Sequence, residues 1–339
     1  MPAEGRAPLA AIFGCAGERL SEAERRFFAD ADPLGFILFA RNCRAPAQLK
    51  ALIGELRAAV GRADAPVLID QEGGRVARLK PPHWRAYPPP ARLAALPDPL
   101  AEEAVRLGAR LIADDLARLG ITVDCLPVLD LPAAGADPVI GDRAYGVEPE
   151  RVARLGRAAC EGLLTGGVLP VVKHIPGHGR AAVDSHHACP TVSAPRDLLS
   201  RTDLVPFRRL SDMPWAMTAH IVYAAIDPEA PATLSPRVIA GVVRGDIGFD
   251  GVLVSDDLSM QALGGGIGER ARRALAAGCD LALHCNGDPR EMDAVAAAAR
   301  PATPAAVARL ARGEALRRRW AGAFERAEAE ARFDRLTAA

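Results

Sequence analysis

Eight short apolar runs, separated by longer amphipathic stretches, constrain the fold of this chain more than any other feature. The runs are Leu9–Phe13, Gly35–Phe39, Val67–Asp70, Thr122–Cys125, Leu169–Lys173, Ala216–His220, Gly251–Ser255 and Leu281–Cys285. Continuous apolar character over so few residues fits strands buried on both faces. The intervening stretches carry the helical period instead. Over Ala101–Leu119, Ala104, Leu107, Leu111, Ile112 and Leu119 recur on one face while Glu102, Arg106, Arg110, Asp114 and Arg118 sit elsewhere. Ser21 and Glu24 are spaced as a capping box that opens an earlier helix. Eight β-then-α units imply parallel strands with right-handed crossovers, and that count favours closure into a single (β/α)8 barrel of the α/β class. An open doubly wound sheet is the alternative. It calls for a glycine fingerprint after its first strand, and Gly264-Gly-Gly-Ile-Gly268 has neither the spacing nor the position.

From Pro304 onward Ala, Arg, Glu and Leu dominate and no further strand follows. We therefore expect a barrel over residues 1–300 and, over 301–339, a helical extension packed on its outside. The 339-residue length is ordinary for one such barrel. Half the residues are hydrophobic and only 4% are aromatic, which suits a core of Ala, Val, Leu and Ile. Lys plus Arg and Asp plus Glu balance at 42 each, so charge offers no reason to expect nucleic acid or an anionic membrane as partner. No apolar run approaches the roughly 20 residues needed to span a bilayer. Pro8-Leu-Ala-Ala-Ile-Phe-Gly-Cys15 faintly resembles a signal peptide ending in a lipidated cysteine, but a first barrel strand explains it better. The seven cysteines are scattered, with no C-x-x-C pair, which suggests reduced thiols and a cytoplasmic protein without a zinc ribbon.

Chemistry concentrates after the fifth run. Lys173-His-Ile-Pro-Gly-His-Gly-Arg-Ala-Ala-Val-Asp-Ser-His-His187 holds four of the seven histidines. Titratable groups on a loop just past a buried strand are where an α/β enzyme keeps its active site. The other strand ends contribute Asp70 with Gln71, Glu72, Arg75 and Arg78, then Asp130, His220, Asp256, Asp257 and Asn286. Arg143 comes from the long connection after the fourth strand. Carboxylates, cations and imidazoles without a thiol or phosphate cradle suit a neutral polyhydroxylated ligand held by charged hydrogen bonds.

Five motifs then appear in a fixed order: Asp70-Gln-Glu-Gly-Gly-Arg-Val-Ala-Arg78, Gly141-Asp-Arg143, Lys173-His-Ile-Pro-Gly-His-Gly179, Asp184-Ser-His186 and Ser255-Asp-Asp-Leu-Ser259. In that order they resemble glycoside hydrolase family 3, and within it the single-domain bacterial β-N-acetylglucosaminidases of cell-wall recycling. The resemblance spans about residues 8 to 290. It implies a cofactor-free retaining enzyme that removes terminal β-linked N-acetylglucosamine, with a 1,6-anhydro-muropeptide of peptidoglycan turnover as natural substrate. It also implies roles. Asp256 is the nucleophile that forms a covalent glycosyl-enzyme, His186 is the acid/base, and Asp184 is its dyad partner. Asp70, Arg78, Arg143, Lys173 and His174 hold sugar hydroxyls.

The residues alone leave other readings open. Asp256 or Asp257 would serve as a helix cap at the strand-to-helix turn. Asp184 and His186 would pin the loop, and His187 adjoins His186. Lys173, His174, Asp70, Arg78 and Arg143 would form an ion-pair network lining the mouth. His178 reads as loop structure, His220 as support for the site, and His83 and His284 carry no signal. Gly177 and Gly179 suggest a loop that closes over bound sugar. Three rival functions remain: a phosphorylase sharing the covalent intermediate, a sugar-binding protein without activity, and a metal-dependent hydrolase using His174, His178 and His186. Ile-Pro-Gly between His174 and His178 argues against the last, because it breaks the helix that would align them. Oligomeric state is not legible.

Overall fold

In the computed structural model, which describes residues 7–185 and 188–338, eight parallel strands close into a barrel. They are β1 Leu9–Phe13, β2 Pro33–Leu38, β3 Val67–Ile69, β4 Val123–Asp124, β5 Leu169–Ile175, β6 Trp215–Thr218, β7 Val252–Asp257 and β8 Leu281–His284. Each pairs with its sequence neighbours, and β1 closes the ring on β8 through Ala11–Ala282, Ile12–Leu283 and Phe13–His284. The expected runs and the observed strands differ by up to two residues at their ends. The differences matter at two places. β5 continues through Lys173 and His174 to Ile175, and β7 continues through Asp256 and Asp257, so these groups stand on strand backbone. β4 is shorter than its apolar run by one residue at each end. Val128 then rejoins Lys173 by a single bridge.

Helices cover the barrel for the reasons their sequences dictate. Ser21 Oγ accepts the amide of Glu24, and the Glu24 carboxylate accepts the amide of Ser21, so the capping box opens helix Glu22–Ala31 as its spacing predicts. Helix Leu100–Leu119 buries Ala101, Ala104, Val105, Leu111, Ile112, Leu116 and Leu119. It stops at Gly120, whose φ of 90° lies in the left-handed region that a side chain disfavours. Helices Pro304–Trp320 and Arg326–Thr337 end the described chain. The second buries Phe333 edge-on to Tyr87, and its Arg326 bridges Asp114 and Asp115 on helix Leu100–Leu119.

Two small pairings decorate the mouth. Gln71–Gly73 and Val76–Ala77 form an antiparallel hairpin after β3, while Thr191–Val192 runs parallel to Val222–Tyr223. Their few residues carry no period that sequence reading detects. Among the described residues no helix is long and apolar enough to cross a membrane.

Candidate active site

The C-terminal ends of the strands open onto a cavity of about 560 Å³ bordered by Asp70, Arg78, Arg143, Lys173, His174, Asp184 and Asp256. Seven of the eight expected site residues therefore share one space. The eighth, His186, lies outside the described residues, as does His187.

The hairpin after β3 builds one wall. The Gln71 amide donates to the Asp124 carboxylate at 2.9 Å, and Gln71 Oε1 accepts the amides of Arg78 and Leu79 at 2.8 and 2.9 Å. That fold-back returns Arg78 to Asp70, which it meets at 3.0 Å. Lys173 Nζ bridges Asp70 at 2.9 Å and Glu72 at 2.7 Å, and Arg143 grips both oxygens of Glu72 at 2.8 Å. Arg75 holds Arg143's loop in place, donating to the carbonyls of Pro138, Val139 and Ile140 and to Asp142.

The side chain of Glu72 has no exposed surface, and that of Lys173 is 2% exposed. Burial alone would neutralise such groups. For Asp70 burial is outweighed by Lys173 and Arg78, so its carboxyl falls below the usual range. For Glu72 it is outweighed by Lys173 and Arg143, with the same result. Lys173 rises for the converse reason, its two carboxylate partners overcoming burial. Asp124 lies beneath this network with one carboxylate oxygen that has no partner among the described residues, and burial pushes it well above the ordinary value.

His174, next along β5, places Nδ1 2.7 Å from Asp130. Asp130 also accepts the backbone amides of His174 at 3.1 Å and His178 at 2.6 Å. Burial opposes ionisation of Asp130, but the two histidines and these bonds hold its carboxyl below the usual range. An ionised partner keeps the proton on Nδ1 and leaves Nε2 for the cavity.

Asp256 stands near the end of β7. Its Oδ1 accepts the amide of Asp257 at 2.8 Å. Burial raises its carboxyl, and His220, His174, the Asp257 amide and Lys173 together more than reverse that, leaving it below the ordinary value. The helix cap that sequence allowed to either aspartate is not made, because the next helix, Ile267–Ala277, begins only at Gly266, and Asp257 pins the intervening turn instead. Its carboxylate accepts the Ser259 amide at 3.1 Å, the Ser259 hydroxyl at 2.6 Å and the Cys285 amide at 3.2 Å.

Asp184 is half-buried at the cavity edge. Beside it, buried Ser185 meets His178 Nε2 at 3.0 Å through its hydroxyl and the Ala262 amide at 3.3 Å through its carbonyl. His178, read as loop structure, is thus the barrel-side anchor of the segment carrying Asp184. The glycines read as signs of motion have a different explanation in part. A Cβ on Gly179 would fall 2.0 Å from the Leu131 carbonyl oxygen, so close packing alone demands glycine there. Ser185 carries no sequence signal beyond its neighbours. Glu72 and Asp130 were visible as strand-end carboxylates, but their partners were not. Among the described residues no three His, Cys, Asp or Glu side chains gather as a metal site.

A parallel barrel with paired charges and an ionised carboxylate at its C-terminal mouth is the arrangement in which barrel enzymes keep their active sites. The chain belongs to glycosyl hydrolase family 3, whose N-terminal domain pattern matches residues 9–312. A beta-hexosaminidase of Alkalilimnicola ehrlichii is 43% identical over 282 residues, 81% of this chain and 80% of that protein. One from Thiobacillus denitrificans is 42% identical over 307 residues, 88% and 84% of the two chains. The crystal structure of NagZ from Neisseria gonorrhoeae in complex with N-trifluoroacetyl-D-glucosamine aligns with a TM-score of 0.87 at 34% identity, covering 99% of this chain and 100% of that one. The chain is accordingly a glycoside hydrolase of the hexosaminidase type.

Proposed function

We propose that this enzyme is a retaining exo-β-N-acetylglucosaminidase working through a covalent bond between Asp256 and the sugar. The observation that carries the proposal is the placement of Asp256, kept ionised, on the same cavity as Asp184 and the paired groups Asp70, Arg78, Lys173 and Arg143. In the first step Asp256 attacks the anomeric carbon, and the departing oxygen takes a proton from His186. An imidazole of pKa about 6.5 is ~24% protonated at pH 7, and a carboxylate neighbour raising it by about one unit makes that ~76%. Asp184 supplies that neighbour in this reading. In the second step His186 takes a proton from water, which opens the ester and regenerates Asp256.

Asp70, Arg78, Arg143, Lys173 and His174 are assigned to the sugar's hydroxyls. The N-acylated glucosamine bound in the gonococcal relative supports an N-acetyl sugar here. The finer reading places the enzyme in the cytoplasm, cleaving 1,6-anhydro-muropeptides from peptidoglycan turnover, and rests on family resemblance. The test is incubation with an aryl N-acetyl-β-glucosaminide, with and without phosphate. Free N-acetylglucosamine under both conditions is expected. Sugar 1-phosphate as the main product would make the enzyme a phosphorylase.

A further inference from the structure

Three fully buried polar side chains behind Asp256 are linked to its backbone in a closed circuit. The Asp256 amide donates to Thr218 Oγ1 at 3.3 Å, and Thr218 Oγ1 lies 2.7 Å from Thr233 Oγ1. Thr233 Oγ1 lies 2.7 Å from His220 Nδ1, and His220 Nε2 lies 2.9 Å from the Asp257 carbonyl oxygen. Thr218 is 1% exposed, and Thr233 and His220 are not exposed at all. We propose that Thr218, Thr233 and His220 are positioning residues that clamp the backbone on both sides of the Asp256–Asp257 bond and so aim the nucleophilic carboxylate. This rests on the reading of Asp256 as nucleophile.

Counting protons gives the circuit one sense. A carbonyl oxygen only accepts, so Nε2 carries the imidazole proton. Burial lowers the tendency of His220 to take a second proton, with Asp256 and the Asp257 carbonyl pulling the other way, so Nδ1 is bare and accepts from Thr233. The Ala219 carbonyl is the alternative acceptor for Thr233, but at 3.1 Å it is the more distant one. Having given its single proton to His220, Thr233 must accept from Thr218. Thr218 in turn must accept, and the Asp256 amide supplies the donor. Each of the three side chains then donates once and accepts once, and reversing the link between the two threonines would leave His220 Nδ1 without a donor.

The long loop after β6 exists in part to close this circuit. Thr233 sits on a single 3-10 turn, Ala232–Leu234, tied back by the Ala232 amide to the Ile221 carbonyl at 2.8 Å. Asp256 Oδ1 accepts the amide within the clamped segment, so rotating that segment moves the attacking carboxylate.

Thr233→Val keeps the shape and removes the link. The clamp predicts that kcat for an aryl N-acetyl-β-glucosaminide falls by on the order of 10- to 100-fold, since small misplacements of a reacting group cost that much. The inhibition constant of N-acetylglucosamine should stay within about twofold, because the sugar-binding wall is untouched. Thr233→Ser should recover most of the lost rate. Thr218→Val breaks the circuit at another link and gives the same pattern if the first variant fails to fold. Normal kcat in a folded valine variant, or equal losses in kcat and inhibitor affinity, would overturn the clamp. Asp256→Asn is run alongside. If it retains activity the nucleophile reading fails and the clamp with it, whereas inactive Asp256→Asn beside fully active valine variants sinks the clamp alone.

Discussion

The two walls of the cavity are built on opposite electrostatic plans. On the β3–β5 side Asp70, Lys173, Glu72 and Arg143 form a chain of opposite charges, each contact between 2.7 and 2.9 Å. On the β6–β7 side the groups behind Asp256 are two hydroxyls and a neutral imidazole. Among the described residues the Asp256 carboxylate takes a single hydrogen bond, from the Asp257 amide. A carboxylate clasped by a guanidinium has its lone pairs occupied, which suits gripping and blunts attack. Holding Asp256 through its backbone fixes its position while leaving its oxygens available. In this account the charged wall binds and the neutral wall aims.

Asp256→Asn should break the difference most completely. It removes the oxygen anion proposed to attack but preserves shape, so kcat should fall by roughly 10⁴- to 10⁶-fold, the range seen when single catalytic groups are removed. Ordinary folding and sugar affinity should survive, as read by thermal melting and inhibitor titration.

Glu72→Gln attacks the charged wall instead. Its side chain is wholly buried, and its loss leaves Arg143 without a carboxylate partner among the described residues and Lys173 with one fewer. Breaking such a pair costs about 3–5 kcal/mol, measurable by denaturant unfolding, and should also raise KM. A loss below about 1 kcal/mol would show that the buried charges compensate one another by other routes.

Below these comes acid sensitivity at the junction of the walls. Burial, helped by neighbouring His174, pulls His178 down to about 4. The unfolded chain then binds a proton that the folded one refuses across the interval from about pH 6.5 down to that value. Stability is fully present above the interval and declines as pH falls through it, by ~3 kcal/mol at most from this residue. His178→Gln should flatten the decline between pH 6.5 and 4; an unchanged slope would assign it to other groups. The smallest effect belongs to the rim. Arg75 is 48% exposed where it meets Asp142, so Arg75→Ala should cost under about 1 kcal/mol, and KM should move far less than in Glu72→Gln.

How much of this was legible depends on whether a feature is local. The eight apolar runs marked the strands because a strand buried on both faces leaves a continuous signature. Ser21 and Glu24 marked a helix start because a cap is made within four residues. Asp70, Lys173 and Asp256 were found because strand ends converge and the family motifs name them. The partners were not legible. Thr233 reaches His220 only because the loop after β6 folds back, and Asp130 meets His174 across 44 positions of chain. Glu72 looked like one carboxylate among several until the hairpin brought it between two cations. Such pairings are set by closure of the barrel, which no short window of sequence encodes.

The claim that the neutral wall aims a nucleophile is met most directly by trapping the intermediate. Incubation with a 2- or 5-fluoro sugar, followed by intact mass measurement and peptide mapping, should add one glycosyl unit and place it on Asp256. A label on any other side chain, or steady turnover of the fluoro sugar through no covalent adduct, would contradict the account.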